Sequence, residues 1–299
     1  MTRPISPAVA LAIAAIGIGL FSVMDAVMKG LVLAIGVYNA MFWRALVNVG
    51  LGAAAWRLGR SGRPSARAVR LHLARGGVTT LMALLFFWGL ARVPMAQAIA
   101  LTYIAPILAL LRAAAVLGER VGRHVVIASA AAFGGVIVVV IGQSRGAATD
   151  SDIAGVAAIL ASAILYAINL VIARVQAQAA RPGEITFFQS GVTALLLALA
   201  APWLATLPAS GDWLRLVVAA CLSTASLLLL AWAYAHGDTG FLATSEYTSF
   251  VYAAVLGWAV FGERVSGWTL AGAAIIVAAC LYAARRRDIG EAAVTGAAT

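Results

Sequence analysis

Charged side chains are scarce in this chain: Asp, Glu, Lys and Arg make up 11% of its 299 residues, against roughly 25% in an ordinary soluble domain. With 63% hydrophobic residues and a mean hydropathy of +0.98, no polar surface can surround it, which excludes a water-soluble domain. The two cysteines, Cys221 and Cys280, both sit in apolar runs, so neither a disulfide framework nor a thiolate metal centre is implied. Three scattered histidines make no metal-ligand cluster, and no cofactor is called for. A Gly-rich phosphate loop ending in Gly-Lys-Ser/Thr is missing as well, which excludes that route to ATP-driven work. The net charge of +10 does not point to nucleic acid, because no polar domain carries it. The basic residues lie between apolar stretches, where they face anionic lipid headgroups.

What the chain has is length and grease. Windows of about 20 residues give ten apolar stretches, at 8–28, 37–56, 73–91, 95–117, 123–142, 153–173, 185–206, 213–235, 241–261 and 267–284. The first, preceded by Arg3 alone and followed by more apolar chain, reads as a membrane span and not a cleaved leader. The expected fold class is an all-α integral membrane protein of ten transmembrane helices. With the N-terminus in the cytoplasm, fourteen Lys and Arg fall in inside segments and five (Lys29, Arg92, Arg145, Arg215, Arg264) outside. The positive-inside rule therefore places both termini in the cytoplasm.

The chain also repeats itself. "VLGERV" (116–121) returns as "VFGERV" (260–265), and the offset of 144 also brings Trp88 onto Trp232 and Tyr103 onto Tyr247. An offset of 145 brings Phe21 onto Tyr166, Lys29 onto Arg174, and Arg44 onto Gln189. Two five-helix halves, 1–147 and 148–299, follow. Because five is odd, the second half must enter the membrane upside down, the inverted repeat that builds alternating-access carriers. Each Gly-Glu-Arg reads as a turn between the last two helices of its half, tying a helix end to a neighbour or touching a gate.

Ten helices in two inverted halves, the Pro in "YIAPI" and the repeated "GER" junction resemble the EamA type of the drug/metabolite transporter superfamily, over residues 8 to 284. Within it the chain resembles the bacterial amino-acid exporters of the YddG group. That resemblance implies secondary transport in a bacterial inner membrane, and export as its direction. The expected partners are membrane lipid and a small-molecule substrate, with no nucleic acid, and the protein is expected to work as a monomer.

Charges inside spans mark candidate sites. Asp25 and Lys29, four residues apart, are expected to pair on one helix face. Arg44, seven residues into its span, is shallow enough to snorkel outward, and Arg112, about 9 Å from its inner end, reaches the cytoplasmic headgroups. Glu246 lies among Thr244, Ser245, Tyr247, Thr248 and Ser249. Its stem is too short to snorkel, so it needs a cavity or an arginine partner. Ser162, Tyr166 and Asn169 along one helix, with Gln189, complete a polar lining. Tyr103 and Tyr247 are deep enough to join it. Trp88 and Trp232, within a turn of a loop, suit an aromatic belt as well as a site. Pro94 and Pro106 mark the moving gate, with Phe250 opposite Pro106 making the kink one-sided.

Dispersed single polar residues speak against a membrane-embedded enzyme, and no ring of repeated charges suggests a channel. A lining of tyrosines, amides and one carboxylate suits neutral or aromatic amino acids, with a flavin or nucleoside as the alternative. The topology is testable. Single cysteines replacing Glu119 and Glu263 should react with an impermeant thiol reagent from opposite faces, so outside labelling of both would end the inverted-repeat reading.

Overall fold

The computed structural model describes residues 7–58, 64–109, 123–144, 150–236, 242 and 244–296. All regular structure among them is helical: α1 (Pro7–Leu58), α2 (Ala66–Leu90), α3 (Met95–Thr102), α4 (Arg123–Ser144), α5 (Asp150–Ala177), α6 (Pro182–Ala198), α7 (Ser210–His236), α8 (Thr248–Phe261) and α9 (Gly267–Gly296). A turn at Ala201–Leu204 follows α6, and a 3₁₀ turn at Thr244–Tyr247 leads into α8. Among the described residues, four helical stretches are long and apolar enough to cross a membrane: Ala8–Arg57, Ala66–Leu90, Asp152–Ala173 and Ser210–His236. Met95–Ala109, Val126–Gly142, Gly183–Ala198 and Gly267–Tyr282 are shorter and apolar.

α1 holds two of the expected stretches. It reverses at Gly36, whose φ of 79° and ψ of 157° no residue with a Cβ adopts cheaply. The reversal is proved by side chains: Arg44 Nη1 lies 3.4 Å from Met24 Sδ, although 20 residues of straight helix would span about 30 Å. The arms 7–35 and 37–58 therefore form a hairpin. α6 runs antiparallel to the second arm, since Gly183 packs on Ala55, Gly52 on Phe187, and Tyr38 donates to the Leu197 carbonyl at 2.6 Å. α7 packs on the first arm, with Gly17 against Leu230. α2 lies between α5 and α6, and α3 crosses α8.

α4 and α9 meet through glycine. A Cβ on Gly135 would come 2.8 Å from the Gly272 carbonyl, and one on Gly272 would come 2.6 Å from that of Gly135. Only bare backbone on both sides allows this approach. The outer surface is as apolar as the inside. Phe133, Leu195, Leu228 and Trp258 are all more than half exposed, as suits a chain whose solvent is lipid.

The expected seventh stretch, 185–206, is cut short at Ala198. Leu199 to Leu204 are as greasy as the helix, yet Pro202 has no N–H to continue the ladder and instead opens a fresh turn. Residues 110–117 of the fourth stretch, with Arg112, and the first Gly-Glu-Arg lie outside the described residues. Gly36→Val should cost about 1–3 kcal/mol of stability in thermal denaturation. Gly30→Ala, where an added Cβ meets nothing within 4 Å, should cost nothing.

Candidate functional site

The two tyrosines matched across the halves meet at the centre. α3 stops at Thr102, and helix resumes at Ala105, one residue before Pro106. Pro106 cannot donate back to the Thr102 carbonyl, so the ladder opens there. Across from it, the 3₁₀ turn ends on Tyr247 and α8 starts with no cap from its own chain segment. Tyr103 supplies the cap: its hydroxyl oxygen accepts from Phe250 N–H at 2.9 Å. Ser249 donates to the Glu246 carbonyl at 2.6 Å, which leaves the Tyr103 proton for Ser249 Oγ at 2.8 Å. The rings of Tyr103 and Tyr247 pack edge to face, centroids 5.3 Å apart, and the Cys280 thiol donates to the Tyr103 carbonyl at 3.5 Å. Both crossing helices are thus interrupted at the matched tyrosines. The expected one-sided kink is corrected: Pro106 opens one ladder, and a 3₁₀ turn replaces α-helix in the other.

One end of the molecule is locked. Lys29 does not pair with Asp25; its ammonium bonds the Glu263 carboxylate and donates to the Val93 carbonyl at 2.7 Å, over the Phe261 ring at 5.3 Å. The other carboxylate oxygen of Glu263 accepts from Met95 N–H at 2.7 Å, capping α3, which Pro94 leaves without a side-chain cap. An acidic group there also suits the positive end of the helix. Gly262 turns the chain in the left-handed region (φ 66°), its N–H donating to the Trp258 carbonyl at 3.1 Å and the Glu263 N–H to the Gly257 carbonyl at 3.0 Å, a left-handed stop to the helix. At Gly257 a Cβ would sit 2.6 Å from a Glu263 carboxylate oxygen. The Gly-Glu-Arg turn is therefore built to deliver one carboxylate, and Lys29, 4% exposed, is sealed beneath it. A groove of about 320 Å³ lies over the lock, lined by Leu33, Arg92, Pro94 and Phe261 with the ion pair.

Glu246 behaves differently. Its side chain is exposed and takes a hydrogen bond from the Tyr234 hydroxyl at 3.1 Å, with no arginine partner among the described residues. Tyr166 lies within electrostatic reach of both Glu246 and Arg75. Arg75 in turn is held by Asn169 Oδ1 at 2.9 Å and Gln176 Oε1 at 2.6 Å. Cation, phenol and carboxylate thus follow one another from α2 through α5 to the 3₁₀ turn.

The remaining candidates are placed as follows. Ser162 donates to the Met82 carbonyl at 2.9 Å, joining α5 to α2, and Gln189 is half-buried on α6. Trp88 carries the Arg92 guanidinium 3.4 Å over its ring, while the matched Trp232 stacks on His236 at 4.4 Å; both pairs stand at helix ends, not at the centre. Arg44 does not snorkel outward. It turns in, onto Met24 and Met41 and over the Phe87 ring at 5.4 Å, because the fold offers polarizable sulfur and a π face. Asp25, 3% exposed, keeps one carboxylate oxygen without a hydrogen bond. Arg75 and Tyr234 escaped the sequence reading. Arg75 is one of the fourteen basic residues on the inner side, yet it stands inside the 73–91 stretch, and that position is the available signal.

An all-helical, lipid-faced bundle with charges locked at one end and exposed within is a membrane transporter's arrangement. The chain belongs to the EamA-like transporter family, which matches residues 7–141 and again 153–285. It is 27% identical over 275 residues to the pseudopaline exporter of Pseudomonas aeruginosa strain UCBPP-PA14, covering 89% of this chain and 93% of that one. To the riboflavin transporter of Rhizobium johnstonii it is 32% identical over 244 residues, covering 79% and 74%. A solved crystal structure superposes with a TM-score of 0.61 at 22% identity, covering 94% of this chain and 99% of that chain, a likeness of fold. None of these relatives belongs by name to the amino-acid exporters that the sequence resembles.

Removing one partner of the lock strands the other. Glu263→Ala should lower stability by about 3–5 kcal/mol, read as a fall in melting temperature. The double variant Lys29→Met, Glu263→Ala should recover part of it. Equal melting of Glu263→Ala and wild type would show the ion pair to be idle.

Proposed function

We propose that the protein is a secondary transporter that exports neutral or aromatic amino acids and related metabolites by alternating access. The observation that carries the reading is the contrast between its charged groups: Lys29 is buried against a half-buried Glu263 at one end, while the side chain of Glu246 is exposed. A carrier needs one closed and one open access, and in this conformation the Lys29 end is the closed one.

The inverted repeat, 1–147 against 148–299, belongs to this proposal, and the packing supports it. Exchanging the halves turns the α2–α5 contact into that of α7 with the first arm of α1, and the α2–α6 contact into that of α7 with the second arm. The α4–α9 and α3–α8 contacts turn into themselves. With ten spans and both termini in the cytoplasm of a bacterial inner membrane, the lock faces outward and Glu246 is reached from the cytoplasm. A zwitterion fits between Arg75, which attracts its carboxylate, and Glu246, which attracts its ammonium, with Tyr166 and Tyr234 against an apolar or aromatic side chain. A flavin-sized aromatic metabolite is the second reading, favoured by the Rhizobium relative's being a riboflavin transporter.

Purified protein in liposomes should show saturable, trans-stimulated flux of a labelled amino acid, competed by Phe, Met, Leu or Thr. Glu246→Gln should lower that flux about tenfold or more at unchanged melting temperature. Flux of riboflavin with no response to any amino acid would move the assignment to the second reading, and wild-type flux by Glu246→Gln would remove this carboxylate from the path.

A further inference from the structure

Arg75 is the end of a hydrogen-bond chain that leads away from the solute path to a buried histidine. Gln176 meets Arg75 with its amide oxygen, so its amide nitrogen faces His72 Nδ1, at 2.7 Å. An amide nitrogen only donates, and Nδ1 must therefore be the bare, accepting nitrogen. The ring proton then sits on Nε2, 2.9 Å from Glu184 Oε1, and the ring is neutral. His72 and Gln176 are almost fully buried and Glu184 nearly so, and Phe188 stacks on the imidazole at 4.7 Å, fixing its plane. The chain joins α2, α5 and α6 at the end opposite the Lys29 lock.

We propose that His72 is the proton-binding site through which this carrier couples solute movement to proton movement, Gln176 relaying its state to Arg75; the inference rests on the transport reading above. A proton taken up at Nδ1 makes both ring nitrogens donors. Gln176 must then turn its amide to offer Oε1 to Nδ1–H, which brings its NH2 against Arg75 Nη1, donor to donor. That hydrogen bond is lost. Arg75 keeps Asn169 on Nε and has one edge of its guanidinium released beside Tyr166, toward Glu246. One proton is gained and no covalent bond other than N–H is made. The charged and titratable groups around the ring oppose one another: Glu184 on α6 favours the imidazolium, Arg75 on α2 disfavours it, and Tyr166 on α5 lies beyond the arginine. A plain cross-tie between helices would need only satisfied partners, whereas this one is satisfied in two protonation states that hold Arg75 differently.

The test uses the full chain in lipid nanodiscs labelled with [15N]histidine, with His124 and His236 replaced by Gln so that His72 alone reports by NMR. At about pH 8 the ring should be a single tautomer, protonated on Nε2. On acidification it should titrate once, and Gln176→Glu, which sets a carboxylate against Nδ1, should raise the midpoint by about one pH unit or more. A ring protonated on Nδ1, or a ring that does not titrate between about pH 4 and 9, overturns the proposal. So does an unmoved midpoint in folded Gln176→Glu. The tautomer is read with Gln176 in place, so it decides for or against the proposal even where Gln176→Glu misfolds. In liposomes loaded with amino acids or riboflavin, His72→Gln should keep counterflow within about threefold of wild type. It should lose about tenfold or more of the accumulation driven by a pH gradient. Unchanged accumulation, or equal loss of both activities, overturns the coupling role. Wild-type liposomes that pass none of these solutes, with the NMR result intact, count against the transport reading alone and leave the proton site standing.

Discussion

The hydroxyl of Tyr103 is the contact on which the centre of this structure depends. In hydrocarbon no water is at hand for an orphaned N–H, so a broken helix survives there only if another part of the protein supplies the missing partner. Phe250 N–H has that partner in Tyr103, and the break in α3 at the same residue places the hydroxyl where it is needed. The opposite end uses the same device with a charge. Glu263, arriving just after α8, accepts from the first N–H of α3. Each crossing helix begins on a group donated by the other, so α3 and α8 cannot separate without uncovering backbone at both ends.

The glycines follow from the same constraint. Gly257 leaves room for a carboxylate that belongs to the residue six further on, and Gly262 turns the chain so that it arrives there. Gly135 and Gly272 bring two backbones together, and the side chains of Ile276 and Val139 fill the space their missing Cβ atoms leave.

Much of this was written in the sequence. Apolar stretches mark where helices lie because lipid leaves the backbone few alternatives, and the two tyrosines that an offset of 144 pairs in the sequence, Tyr103 and Tyr247, pack edge to face. Local rules failed where long-range partners competed. Asp25 and Lys29 have the spacing of a helical pair, yet Glu263, 234 residues away, holds Lys29, a proximity that no spacing encodes. Arg75 was missed for a related reason: near a span's end an arginine reads as a headgroup ligand, and only the packing of α5 shows Asn169 and Gln176 waiting for it. Pro106 announced one interruption but gave no sign of the second, which begins in "TSEY", a run of polar residues with no breaker in it.

The hairpin of α1 bears on how the chain enters the bilayer during synthesis. Arg44 carries a cost of about 2.5–3.5 kcal/mol if its helix faces lipid alone, and its sulfur contacts include Met24 on the arm made before it. The second arm is therefore a poor substrate for release by itself. The translocation machinery would do best to hold the first arm until Gly36 has reversed the chain, handing the two arms to lipid as one unit whose buried cation is already housed.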